Sequence, residues 1–135
     1  MLQTLTIKQF AIIDELEINF GNGLTVLSGE TGSGKSIIIN AIGQLIGMRA
    51  SSDFVRHGEK KATIEGIFDI DNNPEVIRTL NELEVDADED FLIVKREIFS
   101  SGKSLCKVNN QTVTLHDLRS VSYTHLRAHE TRHDL

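Results

Sequence analysis

The sequence is short of sulfur, of positive charge and of long apolar runs, and each shortage removes a class of protein. Its one cysteine, Cys106, excludes an internal disulfide and a cysteine-built zinc site, and suits a reducing compartment as a small strand hydrophobe. No apolar run reaches membrane-spanning length, and Met1-Leu2-Gln3-Thr4 lacks the charged start of a secretory leader, so the expected location is cytoplasmic, with no membrane partner. Twenty acidic residues against 14 basic ones give a formal net charge of -6, which excludes a uniformly basic nucleic-acid coat and leaves only local patches for that purpose. What remains is a chain of 135 residues, 39% hydrophobic and 25% charged, enough for one globular domain with its own core.

The stretch with the most specific chemistry is Gly29-Glu30-Thr31-Gly32-Ser33-Gly34-Lys35-Ser36, which fits G-x-x-x-x-G-K-[ST]. Leu24-Thr25-Val26-Leu27-Ser28 before it reads as a short strand, and Ile37 to Ile46 after it as a helix. Three glycines let successive backbone N–H groups turn around phosphate oxygens, and the helix N-terminus adds partial positive charge. Lys35 is expected to neutralise the β- and γ-phosphates of ATP, and the Ser36 hydroxyl to join the coordination of Mg²⁺. The competing reading, a glycine-rich turn capping a buried helix, explains neither the lysine nor the serine.

The rest of the chain reads mainly as antiparallel sheet. Leu5 and Ile7 alternate with Thr4, Thr6 and Lys8, and Leu16, Ile18 and Phe20 share a second face, so two strands precede the nucleotide strand. In the helix, Ser36, Asn40, Gly43, Gln44 and Gly47 make one small or polar stripe, and Gly47 is placed to stop it in the left-handed conformation. The following segment carries Arg49 and Arg56, either within reach of a phosphate or a facing subunit, or simply solvated. Ala62 to Ile70 is a strand; Asn73 and the single proline, Pro74, open a helix through Val76, Ile77, Leu80 and Leu83. Phe91 to Ile98, Ser104 to Val108 and Gln111 to Val113 are strands, the last two joined by a tight Asn109-Asn110 turn. Lys95, Arg96, Lys103 and Lys107 offer this hairpin a basic edge for DNA phosphates, or edge lysines that protect a sheet.

Two patterns mislead. Asp86, Asp88, Asp90 and Glu97 occupy calcium-loop positions, but Phe91 stands where the sharp turn wants glycine and a strand begins there. His129-Glu130-Thr131-Arg132-His133 fits H-E-x-x-H, with His125 one turn upstream, yet Val121 to Ala128 supply no apolar stripe to bury such a helix. The string from Val121 onward resembles the in-frame translation of a transposase-type sequencing adapter. Residues 121–135 are therefore expected to be a non-native, disordered tail that does not bind zinc tightly, and residues 1–120 the domain proper.

Leu5-Thr6-Ile7, Phe10-Ala11-Ile12-Ile13-Asp14, Phe20 and Gly23 through Ser36 together resemble the N-terminal part of the RecN family, bacterial SMC-like ATPases of DNA repair. Glu30-Thr31 inside the loop separates this family from relatives with Asn-Gly there. Arg49-Ala50, Val55-Arg56 with Gly58, Arg96-Glu97-Ile98, Gly102-Lys103-Ser104 and Val108-Asn109 continue the likeness, with Lys103 where family members often have Arg. The resemblance implies an α/β fold: a P-loop NTPase of ABC-ATPase head type, here its N-terminal lobe, with an antiparallel β-subdomain and a phosphate-loop strand–helix unit. It further implies ATP and Mg²⁺ as cofactors, ATP hydrolysis between paired heads of a homodimer, DNA as partner, action in double-strand-break repair and recombination, and a bacterial, nucleoid-associated location. Arg49 aligns best with the arginine finger of such heads. The glutamine loop, signature segment, Walker B Asp with its catalytic Glu, switch His and coiled coil of the family are absent, so this chain is expected to bind nucleotide without hydrolysing it. Two alternatives stay open: a different P-loop enzyme such as a small-molecule kinase, which needs a phosphoryl-acceptor site, and a non-catalytic DNA-binding module, whose affinity would not depend on Lys35.

Overall fold

Period-two alternation shapes most of the structure, a computed structural model that describes residues 2–20, 32–71, 73–87 and 90–133. Strands β1 (Leu2–Phe10), β2 (Ile13–Asn19), β3 (Lys61–Asp69), β4 (Phe91–Phe99), β5 (Ser104–Val108) and β6 (Gln111–Val113) form one sheet in the order β2-β1-β3-β4-β5-β6, every neighbouring pair antiparallel. Helices α1 (Gly32–Leu45) and α3 (Leu115–His133) pack on one face of it, α1 over β3 and β4 and α3 over β5, while α2 (Pro74–Glu82) lies against α3.

The alternating apolar residues face these helices. Leu5, Ile7, Ile64, Leu92, Val94, Ile98 and Val108 are buried beneath Ala41 and Leu45 of α1, Val76 and Leu80 of α2, and Leu118 and Val121 of α3. Gly66 sets how closely α1 approaches the sheet, because a Cβ there would lie 2.5 Å from Leu45 Cδ1. The opposite face carries a polar row, the register placing Glu17, Thr6, Glu65, Lys95, Lys107 and Thr112 in line across the strands. Among the described residues no helix is long and apolar enough to cross a membrane.

Local chemistry fixes the ends of several elements. Asn73 Oδ1 accepts from the Glu75 and Val76 amides and caps α2, whose first residue is Pro74. Asn109 and Asn110 both have positive φ, 48° and 69°, which the tight β5–β6 turn demands and asparagine tolerates.

α3 differs from the sequence expectation of a disordered tail from residue 121. Thr114 and Asp117 form a reciprocal cap, the Asp117 amide donating to Thr114 Oγ1 at 3.0 Å and the Thr114 amide to Asp117 Oδ2 at 3.4 Å. From that start the helix carries Leu118 and Val121 onto the core, three residues apart on one face. Ser122 is also buried, Thr124 Oγ1 lies 3.4 Å from Thr79 Oγ1, and the His125 ring meets Phe68 edge-on at 5.5 Å. Beyond His125 only the helical backbone is described, so the side chains of His129, Glu130 and His133 lie outside the described residues.

Glu97 has a structural role instead of a calcium-loop one. Lys61 Nζ donates to its Oε2 at 2.9 Å and Lys107 Nζ stands 3.7 Å from Oε1, on a side chain only 8% exposed. The hydrogen bond from Lys61 is the main cause holding its carboxyl below the usual range; burial pushes the other way, and the charges of Lys61, Lys95 and Lys107 add to the depression. A carboxyl depressed in the folded state stabilises the fold above its unfolded pKa, about 4.3, and loses that contribution as pH falls through the folded value. Because Lys61 is half exposed, the expected effect of Glu97→Gln at pH 7 is a loss of only about 0.5–1 kcal/mol. Urea midpoints should show the wild-type advantage at pH 7 and its progressive loss as pH falls below the unfolded carboxyl pKa of about 4.3; equal midpoints at pH 7 would refute the assignment.

Candidate nucleotide site

The described part of the phosphate segment is its helical half. α1 begins at Gly32, inside Gly29–Ser36, so Gly32, Ser33, Gly34 and Lys35 form its first turn, which carries no acidic residue. The first N–H groups of a helix have no intrahelical acceptor and point along the axis with the positive end of the dipole. An anion there therefore faces amide donors that have no intrahelical acceptor and the positive end of the dipole, with Ser36 exposed beside them. Gly29, Glu30, Thr31 and the expected strand Leu24–Ser28 lie outside the described residues.

This geometry fits the terminal phosphates of a nucleoside triphosphate, and Ser36 is the residue of α1 that would meet a phosphate-bound Mg²⁺. When bound, the metal supplies charge neutralisation to the β- and γ-phosphates. Lys35 belongs to the same first turn.

The other end of α1 is held unusually firmly. Gly47, at φ +102°, terminates the helix in the left-handed conformation, and the Met48 amide donates back to the Gly43 carbonyl at 3.0 Å. Arg96, fully buried on β4, donates through Nη1 to the carbonyls of Gln44 and Met48, both at 2.9 Å. Arg119 on α3 donates through Nε to the Gly47 carbonyl at 2.8 Å, and Gln44 Nε2 donates to that of Arg49 at 3.2 Å. Burial pushes the Arg96 guanidinium's pKa down; the neighbouring Cys106 opposes that shift and Arg119 adds to it. An arginine nonetheless keeps its charge at any working pH.

The basic edge expected from Lys95, Arg96, Lys103 and Lys107 is therefore not built as the sequence suggested. Arg96 is 0% exposed and points at α1, and Lys107 is engaged with Glu97; Lys103 alone of the four is plainly exposed. Arg56 is likewise used inside the fold, donating to the Ile12 carbonyl at 3.2 Å and so tying its segment to the β1–β2 turn. The same junction stacks Phe10 on Phe54 at 5.1 Å. Along the helix Gln44 of the small or polar stripe is buried, whereas Ile39 is 53% exposed.

Arg49 is exposed, but it does not share an end of the helix with Lys35. Fourteen residues of α-helix span about 21 Å, and Arg49 follows the C-terminus. Among the described residues no group of three or more His, Cys, Asp or Glu side chains is placed to hold a metal ion.

With this geometry in place, comparison with known proteins is informative. The AAA domain family matches residues 4–129. The chain is 48% identical over 129 residues to DNA repair protein RecN of Bacillus subtilis strain 168, covering 96% of this chain and 22% of that protein. It is 46% identical over 129 residues to DNA repair protein RecN of Halalkalibacterium halodurans, covering 96% and 23%. A solved structure from work on ATP-driven dimerization and DNA-stimulated activation of SMC ATPases superposes with a TM-score of 0.71 at 26% identity, covering 93% of this chain and 79% of that one. The chain thus has the antiparallel sheet and helices of the N-terminal lobe of an SMC-type head, and spans 22–23% of the length of the two RecN relatives.

Proposed function

Because this chain belongs to the AAA domain family, we propose that it is the ATP-binding lobe of a RecN-like, SMC-type ATPase acting in DNA double-strand-break repair and recombination. The observation that carries this reading is the opening of α1 inside Gly29–Ser36, with Lys35 in a first turn free of acidic residues. Gly29 through Gly34 cradle the phosphates, Lys35 neutralises them, and Ser36 contributes to Mg²⁺.

Arg49 lies at the end of α1 remote from Lys35, so its arginine-finger role would be exercised toward a facing head, which fits ATP hydrolysis at a head-to-head homodimer interface. DNA is the partner of the complete protein, in the bacterial cytoplasm at the nucleoid. Within this chain no Walker B carboxylate or signature segment is available to activate water or close over the γ-phosphate.

Isothermal titration of MgATP into the chain should therefore give saturable binding, while phosphate release stays at the level of a protein-free blank. Absence of binding would sink the nucleotide reading. Release above the blank would show that hydrolysis does not need the residues assigned to it.

A further inference from the structure

The three consecutive carbonyls that follow α1, those of Gly47, Met48 and Arg49, are each taken by a side chain from a different element: Arg119 of α3, Arg96 of β4 and Gln44 of α1 itself. Arg96 also takes the Gln44 carbonyl in the last turn. At helix ends such carbonyls are met variously by water, by side chains or by 3₁₀-type backbone bonds. Here two guanidinium groups converge on the negative pole of the dipole, where a cation is favoured.

The fit is close. Gly47 has no side chain, and the stem of Arg119 fills the space one would need: a Cβ at residue 47 would stand 2.5 Å from Arg119 Cγ. Arg96 is held in an apolar layer between Val94 and Ile98, where a cation is stable only if the carbonyls it reaches are fixed. The two arginines therefore tie α1 to β4 and to α3.

We propose that Arg96 and Arg119 are positioning residues for the phosphate-binding turn, acting through the far end of the helix that carries it. The lever is simple. In a rod about 21 Å long, a tilt of about 3° at the C-terminal end displaces the first turn by about 1 Å. Displacements of that size are enough to weaken charge-assisted bonds to phosphate severely. The contact between Arg119 and Gly47 also makes the phosphate turn responsive to the placement of α3, which packs mainly on β5 and α2 and meets Phe68 of β3 through His125.

This inference rests on the nucleotide reading, and the experiment separates the two. Arg119 is exposed, and Arg119→Met keeps the stem over Gly47 while removing the donor and the charge. Affinity for a fluorescent ATP analogue with Mg²⁺ would be measured on the full chain, with the unfolding midpoint taken without nucleotide. The expected result is affinity about fivefold or more weaker for Arg119→Met, typical of coupling between sites, with the midpoint little changed and affinity restored to within about twofold by Arg119→Lys. Arg119→Ala gives the same comparison should the methionine variant fail to fold. Wild-type affinity in both Arg119→Met and Arg119→Ala, with binding lost in Lys35→Ala, would overturn the positioning role and leave the nucleotide site standing. Wild-type affinity in Lys35→Ala would overturn the nucleotide site and the inference with it.

Discussion

Lys35→Ala should leave the chain folded and unable to bind MgATP measurably. A lysine that bridges two phosphates makes charge-assisted hydrogen bonds worth about 1.5–3 kcal/mol each. Losing two of them weakens binding by roughly 10²–10⁴-fold at 1.4 kcal/mol per factor of ten. The remaining backbone donors of the α1 first turn still favour an anion, but only as partial charges worth about 0.3–1 kcal/mol. That remainder is too small to retain a triphosphate at micromolar concentrations. Calorimetric titration of both proteins, with circular dichroism to confirm equal helix content, decides the matter. Retention of wild-type affinity would mean that the lysine is not at the phosphates and that the match of Gly29–Ser36 to a phosphate loop is fortuitous.

The second large effect concerns stability. Arg96→Met is expected to destabilise the fold by about 2–4 kcal/mol, a sizeable part of the total available to a domain of this size. The sign is not obvious, because a buried cation loses several kcal/mol of hydration and replacing it with an apolar side chain can be neutral or favourable. Two features decide it. The acceptors do not leave with the cation: the Gln44 carbonyl would remain buried without its partner, costing about 1–3 kcal/mol, and the part-buried Met48 carbonyl would lose its donor as well. The guanidinium also sits at the negative end of α1, an attraction that methionine lacks. The Arg96 Nε and Gln44 Oε1 atoms have no hydrogen-bond partner among the described residues, which trims the benefit without reversing it. Thermal unfolding should show a midpoint lower by roughly 10 °C. A variant as stable as the wild type would show that the cation adds nothing to stability over methionine and would overturn this assignment.

How far the sequence anticipates this structure depends on how local the cause is. The turn at Asn109-Asn110, the stop at Gly47 and the cap at Asn73 all involve a residue acting on its immediate backbone, and each can be read directly. The fate of Arg96 was half legible. It shares the parity of Leu92, Val94 and Ile98, so alternation alone assigns it to the buried face and withdraws it from a DNA-facing edge. What alternation does not contain is its partners, carbonyls 48 and 52 residues earlier in the chain that only the packing of α1 on the sheet brings within reach.

The start of α3 was legible too. Thr114-Leu115-His116-Asp117 fits the reciprocal capping pattern, but the weak apolar periodicity beyond it hid a helix whose fully buried apolar residues are Leu118 and Val121. Arg49 illustrates the opposite limit. Its closeness to Lys35 in sequence suggested a shared site, whereas an intervening helix turns fourteen residues into separation rather than proximity.

The order of the strands has a consequence for synthesis. Among the described residues, four of the five strand pairings join strands adjacent in sequence; the fifth, β1 with β3, closes over residues 11–60, which hold β2 and α1. Closing a loop of that length costs about 3 kcal/mol of chain entropy before any contact compensates it. On a ribosome adding roughly 5–20 residues per second, α1 emerges several seconds before β3 and β4 are complete. During that interval Ile37, Ile38 and Ile42 lack the β3–β4 surface they pack toward in the folded chain, and this isoleucine-rich run is where a chaperone would compete with folding for the nascent chain.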